Sequence, residues 1–243
     1  VRGAFTRVRH TAPVDVAHWT YPLPITLPGA RNVYTIHDLV PLRLPYTTLD
    51  DKNFHLRLLR RIVVEADHIV TVSETSRSDI IRLLDCPEDQ VTATFQSVSI
   101  PKRLLEKPEA EARADVESAL GLPWGGYFLY FGAIEPKKNV GRLIEAHLAS
   151  GVEEPLVLIG SPAWQSEDEL KFLGVAANDY RETIGNRAYT RRRVHVLDWM
   201  PFSLLVSAIR GAKATVFPSL WEGFGLPVLE SMSLGTPVIT SSQ

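Results

Sequence analysis

Two glutamates, two lysines and one histidine stand where short apolar runs give way to loops. Glu222 and Glu230 enclose the sequence GFGLPVL. Gly223 and Gly225 allow a backbone to approach a ligand closely. A helix that begins just after them presents free N–H groups and a partial positive charge, a setting suited to phosphate. The spacing keeps the two carboxylates off one helix face, so they reach different parts of one ligand. With a diphosphate at the helix start, Glu230 can accept from ribose hydroxyls while Glu222 points at whatever hangs off the far phosphate. Either Glu alone is as well explained by the helix dipole or by solvation; the pair joined by GFGLPVL is the specific signal. Lys137 and Lys138 follow another apolar run and precede another helix start. Cations there can neutralise charge that grows on a departing phosphate, although a solvated surface pair is the ordinary reading. His37 ends a third run, NVYTI, and ligands of open parallel sheets sit beyond the carboxyl ends of strands.

The elements that must position these residues follow from periodicity. Residues 214–217 form a short β-branched strand that Pro218 and Ser219 end. Pro227 suits the first helical position, which puts Glu230 in the first turn. Val228, Leu229, Met232 and Leu234 give that helix an apolar side, Gly235 stops it, and Val238-Ile239 open the next strand. Further strands are expected at 32–36, 68–72, 91–95, 127–131, 155–159 and 194–197. Helices are expected at 49–65, 73–84 with Ser73 as N-cap, 140–149, 166–177 and 203–210. His18, at the end of an apolar stretch, can line a cleft, but a buried structural histidine is the better reading. Helix 49–65 places Phe54, Leu58, Leu59 and Ile62 on one side and Arg57, Arg60 and Arg61 on another. That basic side can meet anionic lipid headgroups in a peripheral membrane contact, though a solvated face is the ordinary reading.

Strand and helix alternate in two blocks, which means an α/β fold with parallel sheets. Residues 1–105 are expected to form the first domain and 124–243 the second. Between them, 106–123 belongs to a charged, proline-containing stretch that reads as a linker. The 243 residues carry a net charge of −2, which argues against nucleic-acid binding. The single Cys86 rules out an internal disulfide, fits a reducing compartment, and reads as a packed or half-exposed thiol. No apolar run approaches the roughly 20 residues of a membrane span, and no signal peptide is visible. The chain opens on Val1 and closes just after a strand, so it is expected to be truncated at both ends. There is no G-x-G-x-x-G and no phosphate-binding G-x-x-x-x-G-K-[ST] sequence. Glu167-Asp168-Glu169 lies at a helix start rather than after a strand, and the histidines lack zinc spacing. No metal is therefore expected.

The segment VFPSLWEGFGLPVLESMSLGTPVITSS resembles, almost residue by residue, the E-x7-E region of the retaining glycosyltransferases of family 4. TIHDLVPLRLP, ADHIVTVSETSRSDI and FGAIEPKKNVGRLIEAH are also similar to that family. The resemblance implies the GT-B fold, two Rossmann-like domains with parallel sheets facing a cleft: an acceptor-side N-terminal domain and a donor-binding C-terminal one. It implies transfer of a sugar, mannose among the candidates, from a nucleoside diphosphate sugar to a hydroxyl of a glycan or lipid-linked acceptor, with retention. The nucleoside diphosphate sugar is then a co-substrate and no cofactor is expected. His37, Lys138 and Glu222 become the expected catalytic residues. Lys137, Gly223, Phe224, Gly225, Leu226 and Glu230 become donor-binding residues. In the family the first Glu lies by the donor sugar, the second binds the ribose, the histidine faces the sugar, and Lys138 holds the phosphate-contacting position. Lys137 and Ala133 stand where arginines are common, and Asp198 stands where glycine is usual in the loop beside the nucleotide base. The expected location is cytoplasmic, with peripheral contact at the inner membrane face as an option. A non-catalytic nucleotide-sugar binding module and a GT-B nucleotide-sugar epimerase remain alternative readings.

Overall fold

Strands buried on both faces read as continuous apolar runs, and the chain builds two parallel sheets from such runs. The computed structural model describes residues 5–174, 178–184 and 187–242. Contacts divide it into two units. Val1–Gln96 group with Trp221–Phe224, and Ser97–Leu220 group with Gly225–Gln243.

In the first unit the order is β1 (Thr6–Arg7), β2 (Val16–Trp19), β3 (Ile25–Thr26), β4 (Arg31–Thr35), α1 (Val40–Arg43), α2 (Lys52–Glu65), β5 (His68–Thr71), α3 (Glu74–Leu84) and β6 (Val91–Ala93). The sheet runs β2-β4-β5-β6, all parallel, and β1 pairs separately with β3. Tyr34, Ile36, Leu59, Ile62, Ile69 and Ile80 fill its core. α2 starts three residues later than the periodicity suggests, because Asp51 caps it by accepting from the Phe54 N–H at 3.0 Å. Leu59 and Ile62 are buried while Arg57, Arg60 and Arg61 stay on the exposed side. Ser73 caps α3 as its sequence suggests, accepting from Ser76 N–H at 3.1 Å. The buried reading of His18 is overturned. β2 is an edge strand with alternate residues open, and His18 is exposed, its Nε2 lying 2.8 Å from Thr35 Oγ1.

The second unit opens with α4 (Lys102–Leu105) and α5 (Glu109–Asp115), which continues into a π-helical turn, Val116–Leu120. The stretch 106–123, read from the sequence as a linker, therefore holds helix. Ala112 and Val116 are fully buried, and Asp115 accepts from Ser207 Oγ at 2.9 Å. Then follow β7 (Phe128–Phe131), α6 (Val140–Ser150), β8 (Leu156–Ile159), α7 (Ser166–Leu170), β9 (Asp179–Ile184), β10 (Arg187–Arg192), β11 (Val194–Leu197), α8 (Phe202–Gly211), β12 (Ala214–Phe217), α9 (Leu226–Ser233) and β13 (Val238–Thr240). The helix expected over 166–177 is α7 followed by a 3-10 turn, Lys171–Gly174; residues 175–177 lie outside the described ones. β9 and β10 form an antiparallel pair that periodicity did not indicate.

The second sheet runs β11-β8-β7-β12-β13, all parallel. From β7 the chain adds β8 and β11 on one side, then returns to add β12 and β13 on the other. The order thus reverses between β7 and β12, and their carboxyl-end loops part around a crevice where ligands of such sheets bind. Among the described residues, no helix is long and apolar enough to cross a membrane.

One ion cluster ties the first unit together. Asp79, 2% exposed, accepts from Arg43 Nε at 2.9 Å and from Arg82 at 3.1 Å. The Arg43 guanidinium also lies 4.1 Å from the centre of the Trp221 ring. Arg43→Ala should lower stability in urea unfolding by about 2–3 kcal/mol, because it leaves a buried carboxylate with Arg82, an exposed side chain, as its remaining cation. Arg60→Ala, whose partner Asp85 is 4.0 Å away on the surface, should change it by less than about 0.5 kcal/mol. Equal effects would contradict this assignment.

Candidate active site

β7 and β12 deliver two loops to the reversal point. After β7, Tyr130 Oη donates to Ala133 O at 2.6 Å and steadies the turn. A 3-10 turn, Pro136–Lys138, follows, and Asn139 with φ of 59° leads into α6. After β12, the chain is sewn to that turn. Leu220 N–H donates to Lys137 O at 2.8 Å, and Asn139 Nδ2 donates to Pro218 O at 3.2 Å. These bonds hold the dilysine backbone beside the segment that leads to α9. Lys137 pairs with Glu135 at 3.4 Å, so its charge is already shared. Lys138 is half-buried at the end of the turn. Ser219 is buried in the same loop, and its hydroxyl has no hydrogen-bond partner among the described residues.

The start of α9 has the form expected of an anion site. Gly225 caps it at φ of 89°, a conformation that favours glycine. No side chain caps the helix and no acidic residue stands in its first turn, so the chain leaves the positive end of the dipole uncompensated. Pro227 falls at the second helical position, because Gly225 rather than Leu226 serves as cap. Glu230 accordingly lies just past the first turn rather than within it. Its half-buried carboxylate makes no hydrogen bond or ion pair among the described residues, and burial raises its pKa above the usual carboxylate value. An acid held in this condition costs stability, and such costs concentrate at sites of function.

Beside this crevice a pocket of about 460 Å3 opens over the carboxyl ends of β7, β8 and β11. Ile159, Gly160, Pro162, Trp199, Met200 and Phe202 are among its walls. Trp199 is 78% exposed, so its ring face is open to a flat ligand. The 159–163 wall was not singled out from the sequence. Its signal was present, since strand β8 ends in Gly-Ser-Pro next to β7.

The first unit gathers the other expected residues. His37 is exposed two residues beyond β4. Glu222, Gly223 and Phe224 group with this unit, and Gly223 lies against His37-Asp38. A Cβ at position 223 would sit 3.1 Å from the Asp38 carboxylate and 3.2 Å from His37 O. Glycine is required there by close approach. The Trp221 Nε1 next in the chain is enclosed without a partner. His37, Glu222, Gly223 and Phe224 thus belong to one unit, and Lys137, Lys138, Gly225, Leu226 and Glu230 to the other. Among the described residues, no three His, Cys, Asp or Glu side chains gather as a metal site. Glu169, from the acidic run, accepts from the Gly141 N–H at 2.6 Å at the start of α6.

Two parallel-sheet units, one with a strand-order reversal beside an uncapped helix start, are the parts of a GT-B protein, and comparison with known proteins identifies them as such. The family described as Glycosyl transferases group 1 matches residues 125–243, and Glycosyltransferase Family 4 matches residues 2–94; the chain belongs to these glycosyltransferases. It is 32% identical over 217 residues to an O-antigen chain mannosyltransferase B of Escherichia coli, covering 87% of this chain and 53% of that one. The fold matches HepE of Anabaena in complex with UDP and glucose, with a TM-score of 0.65 at 17% identity over 88% of this chain and 53% of that one. It also matches WaaG, a glycosyltransferase involved in lipopolysaccharide biosynthesis, with a TM-score of 0.66 at 18% identity over 96% and 60%. The chain spans about half the length of the curated relatives it matches.

Glu230 sets a pH-dependent prediction. The folded chain keeps the Glu230 proton to a higher pH than the unfolded chain does. Stability therefore falls as pH rises from the ordinary carboxylate range through the raised value, and stays lowered above it. Glu230→Gln should be more stable than wild type at pH 7, with the difference vanishing below about pH 4. Thermal unfolding across that range checks this; a variant less stable at pH 7 would contradict it.

Proposed function

We propose that this chain carries the donor site and part of the acceptor side of a retaining glycosyltransferase that uses a nucleoside diphosphate sugar. The observation that carries this reading is the unpaired, half-buried Glu230 on a helix whose positive end is uncapped, at the strand-order reversal. The base lies in the apolar pocket with Trp199 against it, the ribose hydroxyls donate to Glu230, and the diphosphate takes the start of α9 with Lys138. Lys137 adds to the field there from its pair with Glu135.

Each group then has a chemical task. Negative charge grows on the departing diphosphate, so Lys138 and the helix dipole stabilise the transition state more than the bound donor. Positive charge grows at the anomeric carbon, where the Glu222 carboxylate acts. His37 completes the surroundings of the sugar. Gly223, Phe224, Gly225 and Leu226 shape the backbone around the donor. The E. coli relative named as a mannosyltransferase favours mannose as the sugar and a glycan or lipid-linked hydroxyl as acceptor. The reaction needs no metal and no cofactor. It takes place in the cytoplasm, with the arginine side of α2 available for peripheral contact at the inner membrane face.

Calorimetry with nucleoside diphosphates and kinetics with an acceptor test the assignment. Glu230→Gln should act mainly on donor affinity, since ribose hydroxyls do not change charge during transfer. Lys138→Ala should raise KM and lower kcat together. Glu222→Gln and His37→Ala should each lower kcat on the order of 10²-fold while leaving donor affinity nearly intact. Turnover should survive EDTA. Full activity in the Glu222 and Lys138 variants would reject the reading.

A further inference from the structure

A second pocket, of about 230 Å3, opens in the first unit between the turn that leaves β2 and the start of α2. Both segments lie at the carboxyl edge of the parallel β2–β4 pair, the edge at which His37 stands. The pocket is close to that residue's neighbour, since the Asp38 charge acts on the His55 imidazole. Tyr21, Leu23 and Phe54 form an apolar wall that stays 60%, 38% and 36% exposed. The polar groups are Asp50, Asp51 and His55. Asp51 is committed to capping α2. Asp50 has no hydrogen bond or ion pair among the described residues, and His55 Nε2 is enclosed without a partner. Burial keeps the imidazole neutral at physiological pH by lowering its pKa.

The charge pattern selects the occupant. No lysine or arginine lines the pocket; Lys52 is close enough for its charge to reach His55 but donates to Thr48, so the lining carboxylates dominate and repel phosphates and other anions. What fits is a neutral ring with a face of C–H groups to lie on Tyr21 or Phe54 and hydroxyls to donate to Asp50. A pyranose has both. The volume accommodates one ring rather than an oligosaccharide. Resting on the glycosyltransferase reading above, we propose that this pocket binds a neutral sugar ring of the acceptor, with Tyr21 and Phe54 as its stacking surface and Asp50 as its hydroxyl acceptor. It is separate from the residues that grip the donor.

The test uses the 15N-labelled 243-residue chain, titrated with methyl mannoside, methyl glucoside and inorganic phosphate while amide shifts are followed. At least one glycoside should give saturable shifts at residues 21–24 and 50–58, and phosphate should give none there. Asp50→Asn and Tyr21→Ala should each weaken glycoside affinity by about tenfold, with affinity for GDP and UDP unchanged. Both positions are on the surface, so the variants should fold. Absence of glycoside shifts at the pocket, shifts elsewhere only, or affinity unchanged in both variants would overturn the proposal. The donor reading fails by a different result, the absence of GDP and UDP binding.

Discussion

The parallel pairing of β7 with β12, with Ala214 opposite Phe128 and Thr215 opposite Leu129, is the constraint on which the proposed donor site depends. Two strands distant in sequence become neighbours, so their carboxyl-end loops emerge side by side. The hydrogen bond from Leu220 to Lys137 O then fixes the dilysine turn relative to the approach to α9. Without that pairing the lysines and the helix start would be unrelated features of a long chain. The β-strands that impose it are among the most buried in the molecule. Leu129 and Tyr130 of β7 and Thr215 and Phe217 of β12 are all buried, and the hydrophobic energy of the core thereby sets the geometry of a polar site.

Polar groups without partners mark the surroundings of that site. Glu230 is half-buried and unpaired among the described residues, and Ser219 Oγ is enclosed without a partner. Each lowers the stability of the isolated chain, and the half-buried Glu230 carboxylate is the one of the two still open to a ligand. The contrast with Asp79 is instructive. That carboxylate is more deeply buried but satisfied by Arg43 and Arg82, so it holds structure. Burial alone does not separate the two; Asp79 has two cationic partners and Glu230 has none among the described residues.

Much of the fold was legible because parallel strands are apolar throughout and the helix caps are local. Ser73, and the run ATVF before Pro218, needed only their neighbours to be read. Other features depended on tertiary context. Ala112 and Val116 are small apolar residues hidden among charges, and only packing shows that 106–123 contains helix. DYRETI and RAYTRR lack an apolar alternation, so the β9–β10 pair left no pattern to find. His18 was misjudged because sequence does not reveal that β2 lies at a sheet edge. At the candidate site, the Glu222–Glu230 pair stands out by the GFGLPVL that joins it and Lys138 by the family resemblance, whereas the lack of a partner for Glu230 is a property of three dimensions. Tyr21 and Asp50 are far apart in sequence and carried no motif at all.

The central claim is that the strand-order reversal of the second unit holds a nucleoside diphosphate through the start of Leu226–Ser233 and the carboxylate of Glu230. A crystal structure of this chain with GDP or UDP tests it most directly. The account predicts the diphosphate at the backbone of Gly225 and Leu226, the ribose hydroxyls within hydrogen-bond distance of Glu230, and the base against Trp199. A nucleotide bound elsewhere, or a ribose turned away from Glu230 with its carboxylate still unpaired, would contradict it.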